Sequence, residues 1–91
     1  MKVLVDRTAV ALAIPKKEWI ELPEQASLAQ LIDILAERYD PSLYQELLDG
    51  GELSEDMLVM INGCNASQLD GVRTVLEDND NVYFMVMACD G

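Results

Sequence analysis

The 91-residue chain has 17 Asp and Glu against six Lys and Arg, a formal net charge of −11, and 51% of its residues are hydrophobic. This length suits one domain with its own core, and the hydrophobic fraction argues against disorder. The acidic surface repels nucleic-acid phosphates and anionic lipid headgroups; it either attracts a partner with a basic face or serves solubility alone. With no membrane-length apolar run and no signal-peptide pattern, we expect a cytoplasmic protein that binds neither nucleic acid nor membrane.

The residue inventory excludes most catalytic chemistry. The chain has no histidine, so it lacks Ser-His and Cys-His nucleophile pairs and an imidazole base. Cys64 and Cys89 lack CxxC spacing and cannot complete a zinc site by themselves. Gly50-Gly51 lies among acidic residues and predicts a turn instead of a phosphate-binding loop. We therefore expect no active site, no metal and no bound cofactor in this chain.

The N-terminal segment predicts a hairpin. Residues 2–5 form a strand that 9–14 continues or repeats, with a bend or bulge at 6–8. Residues 15–17 have turn composition, and 19–22 form the return strand.

A helix is the clearest element of the sequence. Ser27 is a good N-cap, and Gln30 three positions later completes a capping-box pattern. Apolar residues then recur at helical spacing on one face: Leu28, Leu31, Ile32, Leu35 and Tyr39. Pro41 ends this helix, and residues 43–48 predict a short second helix that stops at Gly50-Gly51.

The second half of the chain returns to strand. Residues 57–61 are a continuous apolar run that ends at Asn62-Gly63, a pair typical of tight turns. Turns are predicted at 68–71 and 77–81, with a short irregular or strand segment at 72–76 between them. The last predicted strand covers 82–88.

Hairpin, helix, short helix and two more strands, in this order, predict an α+β β-grasp fold of the ubiquitin-like type. One main helix packs across a mixed sheet, and the long last strand lies centrally and parallel to the first. We expect residues 1–88 to form this domain and residues 89–91 to form a flexible tail.

Alternation in the last strand separates two faces. Val82, Phe84 and Val86 are predicted to face the helix, which leaves Tyr83, Met85 and Met87 on the other face of the sheet. That second set is a candidate docking surface for a partner, since methionines adapt to different surfaces and exposed apolar patches are often functional. The alternative is ordinary packing under loops.

Motifs along nearly the whole chain resemble the sulfur-carrier family that includes the small subunit of molybdopterin synthase and the thiamin sulfur-carrier protein. The matching segments are Ile20-Glu21-Leu22-Pro23, residues 28–39, residues 57–63, Leu69-Asp70-Gly71 and the acidic turn at 78–80. The length and the second helix are closer to the molybdopterin-synthase type.

This resemblance implies a function for the C-terminal tail. In that family an ATP-dependent activating enzyme adenylates the carboxylate of a terminal glycine, and a sulfur donor converts it to a thiocarboxylate. The resemblance therefore implies activation at Gly91, with ATP bound by the partner enzyme and not by this chain. It also implies a synthase large subunit as a possible second partner.

The ending Cys89-Asp90-Gly91 departs from the Gly-Gly of the family, and Val86-Met87 replaces its Pro-rich approach. Asp90 places a second carboxylate beside the target of adenylation, where it adds bulk and repulsion. Alternatives are therefore a docking module that has lost the tail chemistry, and conjugation through an isopeptide bond. Cys89 is either a tolerated small residue or a partner for a mixed disulfide with a sulfur-handling protein, and Cys64 is expected to be incidental.

Overall fold

A computed structural model describes residues 1–7, 17–55 and 57–86. Its strands are β1 Lys2–Arg7, β2 Glu18–Glu21, β3 Leu48–Asp49, β4 Glu52–Leu53, β5 Met57–Ile61, β6 Cys64–Asn65 and β7 Asn81–Val86. Its helices are α1 Leu28–Arg38 and α2 Leu43–Leu47, with short 3-10 turns at Ala66–Gln68 and Gly71–Arg73. Nowhere in the described ranges is a helix both long enough and apolar enough to span a bilayer.

The main sheet has the strand order β2-β1-β7-β5-β6. The central strand β7 runs parallel to β1 and antiparallel to β5. This topology confirms the predicted β-grasp plan, in which the last strand of the chain lies between the first strand and the strand at 57–61. Strands β3 and β4 form a separate two-stranded hairpin.

The start of α1 follows the predicted capping box. The backbone amide of Gln30 donates to the Ser27 hydroxyl at 3.3 Å, and the Ser27 amide donates to the Gln30 side chain at 2.9 Å. Both bonds satisfy amides that the first turn of a helix leaves without a partner. The helix buries Leu28, Leu31, Ile32, Leu35 and Ala36 against the sheet.

Tyr39 corrects the predicted apolar face of this helix. It is the C-cap residue and is 41% exposed, so the buried stripe ends at Ala36. The physical reason is position: Arg38 is the last residue of the helix, and Tyr39 lies at its end, just before the Asp40-Pro41 step at which a helix does not continue.

The second helix is shorter than predicted. It ends at Leu47, and Leu48–Asp49 pairs with Glu52–Leu53 as the hairpin β3–β4. Gly50 and Gly51 form its turn with φ of 64° and 88°. A tight hairpin turn requires two consecutive residues at positive φ, and glycine adopts positive φ at little cost in free energy.

Two further boundaries differ from the sequence-based expectation. Asp6 and Arg7 do not form a bend, because β1 continues through them and pairs with Tyr83 and Phe84 of β7. Asn81 belongs to β7 and not to the preceding turn. Of the two alternatives for 72–76, the strand is not formed: residues 72–73 belong to the 3-10 turn Gly71–Arg73, and Val75 makes one isolated bridge to Ser27. The expected strand or repeat at 9–14 lies outside the described residues.

A hydrogen-bonded network joins the β5–β6 turn to the start of β7. The predicted turn at Asn62-Gly63 is present, with φ of 53° and 85°. Asp80, only 8% exposed, accepts from the Asn62 side-chain amide at 2.7 Å and from the Glu77 backbone amide at 2.8 Å. The Asn62 side-chain oxygen in turn accepts from the Asn81 amide at 2.9 Å. These bonds fix the position at which β7 enters the sheet.

Candidate protein-docking site

The two faces of β7 differ in burial as the alternation predicts. Val82 and Phe84 are 0% exposed against the helical layer, whereas Tyr83 and Met85 are half-buried on the opposite face. The predicted order of exposure is confirmed for these four residues. Met87 and the side chain of Val86 lie outside what the structure describes, and the docking role itself stays a prediction.

Strand pairing extends this face across the sheet. Leu4 lies opposite Trp19, Met60 opposite Tyr83, and Leu58 opposite Met85. We call the resulting apolar surface the outer face; it consists of Leu4, Trp19, Leu58, Met60, Tyr83 and Met85. Trp19 is 48% exposed and the other five are half-buried. Apolar side chains that share one exposed sheet face make this surface a candidate protein-binding site.

Four members of the outer face were missed at the sequence level: Leu4, Trp19, Leu58 and Met60. The signal was available, since Trp19 alternates with the buried Ile20 and Leu58 alternates with the buried Met57 and Val59. Alternation shows which residues share a strand face, but the register between strands decides which of them become neighbours.

Charged residues border the apolar surface. Asp6 lies opposite Tyr83 in the register, and Glu21 on the edge strand β2 lies opposite Lys2, on the same face as Trp19. The Lys2 ammonium lies 5.0 Å from the centre of the Trp19 ring, a cation–π contact that orients the indole. The border therefore has charges of both signs, and Glu21 is also 3.6 Å from the N-terminal ammonium.

The position of Val86 limits how far Gly91 can lie from the sheet. Val86 is the last described residue of the chain and lies opposite Met57. Five residues follow it, 87–91, and a fully extended chain of that length spans at most about 17 Å. Cys89, Asp90 and Gly91 lie outside the described residues. Gly91 therefore lies within about 17 Å of the Val86 end of β7.

Other chemistry-bearing side chains lie away from this surface. Within the described ranges, no three His, Cys, Asp or Glu side chains are grouped as metal ligands. Cys64 is an exposed free thiol in β6. On the helical side, the Tyr44 hydroxyl donates to Asp33 Oδ1 at 2.9 Å, and this bond raises the pKa of the tyrosine above its ordinary value.

A β-grasp domain with an open apolar sheet face and a central strand leading to the C-terminal tail belongs to the ubiquitin-like proteins, whose small members act as carriers or modifiers. The model of the ThiS family matches residues 7–89. The chain therefore belongs to this family of ubiquitin-like sulfur carriers. None of the curated proteins compared with the chain matches it.

Solved structures agree with this assignment. The solution structure of the Haloferax volcanii HVO 2177 protein superposes with a TM-score of 0.84 at 25% identity, covering 100% of this chain and 87% of that one. A putative molybdopterin converting factor, subunit 1, from Pyrococcus furiosus has a TM-score of 0.72 at 28% identity, covering 96% and 98%. A chain of the Amycolatopsis orientalis BexX/CysO complex has a TM-score of 0.74 at 18% identity, covering 98% and 99%, and shows the fold alone.

Proposed function

We propose that this chain is a sulfur carrier whose Gly91 carboxylate is activated by an ATP-dependent enzyme and converted to a thiocarboxylate. The observation that carries the proposal is the ThiS-family match, which extends to residue 89 and so includes the approach to the tail. The similarity to a putative molybdopterin converting factor subunit favours molybdenum- or tungsten-pterin cofactor synthesis over other sulfur-transfer pathways. A synthase large subunit would then be the second partner.

The chemistry at Gly91 has two steps. A carboxylate oxygen attacks the α-phosphorus of ATP on the partner enzyme, and the bond to pyrophosphate breaks, which leaves an acyl adenylate. A sulfur nucleophile at the oxidation level of sulfide then attacks the carbonyl carbon and expels AMP. Neither step changes an oxidation state. The outer face would dock the carrier, and a tail of at most about 17 Å would carry the reacting carbon into the enzyme.

Asp90 is the residue of this chain that most affects the first step. Its carboxylate neighbours the one that must approach the negatively charged triphosphate, and its side chain is bulkier than the glycine usual at this position. We expect Asp90→Gly to accelerate adenylation. Removal of Gly91 should abolish adenylation without a change in melting temperature, because the last residues of a domain usually contribute few packing contacts.

Pyrophosphate exchange by the cognate activating enzyme tests the proposal with wild type, Asp90→Gly and the chain lacking Gly91. Intact mass after incubation with ATP and a sulfur donor should show replacement of one oxygen by sulfur. Exchange with wild type that disappears on removal of Gly91 would support carrier function. Exchange with Asp90→Gly but none with wild type would show that the natural chain has lost it.

The departure at Cys89-Asp90-Gly91 favours one alternative, an accessory module that docks through the outer face and no longer uses its tail. For such a module, deletion of residues 89–91 would leave partner binding and biological activity intact. For a carrier, the same deletion would leave binding largely intact but abolish activity.

A further inference from the structure

A groove runs between the β3–β4 hairpin and the two 3-10 turns. It consists of two adjoining hollows of about 370 and 300 Å³, which share Leu53 and Ser67 as lining residues. We call it the hairpin groove. The half-buried Leu53 lines both hollows, and the 46% exposed Leu69 lines the larger one.

The position of this groove links it to the outer face and to the tail. Leu58 lines the smaller hollow and also belongs to the outer face, so the two surfaces are continuous. Met57 lines the same hollow and lies opposite Val86, the last described residue before the C-terminal end. A partner that covers the outer face and receives the tail at this edge therefore comes close to the groove.

The groove is acidic as well as partly apolar. Arg73 is 3.6 Å from Glu52, an exposed ion pair at one end. Glu55 and Asp70 are also exposed lining residues, and within the described ranges no cationic group lies within salt-bridge distance of either carboxylate. The charged side chains of the lining are three carboxylates and one guanidinium, Glu52, Glu55, Asp70 and Arg73, so the groove is net negative. A net negative charge beside the half-buried Leu53 and the exposed Leu69 complements a segment with Lys or Arg next to an apolar residue.

We propose that the hairpin groove binds a Lys- or Arg-bearing loop of the activating enzyme while the body of that enzyme covers the outer face. This inference rests on the proposed carrier function. A second copy of this chain is a poorer occupant, because each copy has a net charge of −11 and the groove itself is acidic. Binding at the groove would align the tail with the enzyme and contribute to partner selection.

The test compares charge reversal inside and outside the groove. The double variant Glu55→Lys/Asp70→Lys reverses the charge of two groove carboxylates. The control Glu37→Lys/Glu46→Lys makes the same change in net charge at exposed positions on the helices. Binding of each full chain to the cognate activating enzyme is measured by calorimetry at low and high salt, with melting curves to verify folding.

We expect the groove variant to bind about tenfold more weakly at low salt, and the control to change less than about twofold. The difference should shrink at high salt.

Equal affinities of the two variants at low salt would overturn the groove proposal, even if adenylation of Gly91 proceeds and carrier function stands. Selective weakening of the groove variant, without adenylation of the wild-type chain, would support the groove as a docking site and refute the carrier chemistry. Absence of wild-type binding would overturn both. Concentration-dependent dimerisation that the groove variant abolishes would assign the groove to a second copy of the chain and overturn the proposal.

Discussion

Replacement of Asp80 with alanine tests how the start of β7 is held in the sheet. Asp80 is 8% exposed, and its two carboxylate oxygens accept from different donors, the Asn62 side chain at 2.7 Å and the Glu77 amide at 2.8 Å. Bonds to a charged acceptor contribute roughly 1.5–3 kcal/mol each. Asn62 is exposed and regains water after the substitution, so we expect a total loss of about 2–3 kcal/mol in the free energy of unfolding.

Asparagine at this position is a sharper variant. The two donors reach different carboxylate oxygens, and asparagine has an NH2 group, which cannot accept, in place of one of them, so one donor loses its partner. Asn62 cannot reverse its amide to compensate, because its own oxygen accepts from the Asn81 backbone amide. Asp80→Asn should therefore lose at least half of what Asp80→Ala loses, despite its nearly identical shape.

Urea denaturation followed by circular dichroism measures both variants. Asp78→Ala is the matched control, because its carboxylate accepts from the Lys2 amide at 2.9 Å in an exposed position of the same turn. We expect this control to cost less than about 1 kcal/mol. The reasoning is refuted if Asp80→Ala costs no more than Asp78→Ala, or if Asp80→Asn matches the wild type.

Three further predictions concern the core, the outer face and the helical side. Leu31→Asp should abolish cooperative melting, since Leu31 is 0% exposed and an unpaired charge would enter the core; an unchanged melting curve would contradict the packing of α1. Tyr83→Ser with Met85→Ser should weaken binding to the activating enzyme with a much smaller effect on melting, and collapse of the monomer would reverse the assignment of faces. Asp33→Asn should lower the raised pKa of Tyr44 toward 10, measured by phenolate absorbance. The stability that this bond contributes is present below pH 10 and is lost as the pH rises through the folded-state pKa.

Local signals explain which elements were predictable. The capping box of Ser27 and Gln30 and the proline at 41 act within a few residues, so α1 was predicted to within one residue at its C-terminal end. The strand at 57–61 was predicted with its observed bounds, because the Asn62-Gly63 turn closes it. The hairpin β3–β4 was missed, since two-residue strands carry almost no pattern and Gly50-Gly51 fits a helix end as well as a hairpin turn.

Pairing between distant segments explains the remaining errors. The polar pair Asp6-Arg7 predicts a bend. In the structure, however, the backbones of both residues continue the parallel pairing of β1 with β7. A central strand needs hydrogen-bond partners on both edges, and this requirement overrides the local preference. For the candidate site, alternation separated Tyr83 and Met85 from Val82 and Phe84, but only the register places Met60 and Leu58 beside them.

The sequence by itself determined the class of fold, the capped helix α1, the two faces of β7 and the family to which the chain belongs. These depend on periodicity, short-range capping and ordered motifs, all of which are local. Only the tertiary structure decided that Leu4 and Trp19 join the outer face, that Asp80 and Asn62 hold the start of β7, and that the hairpin groove opens at Leu58. Each of these joins residues from separate segments, and such contacts depend on strand register and core packing, which no local pattern specifies.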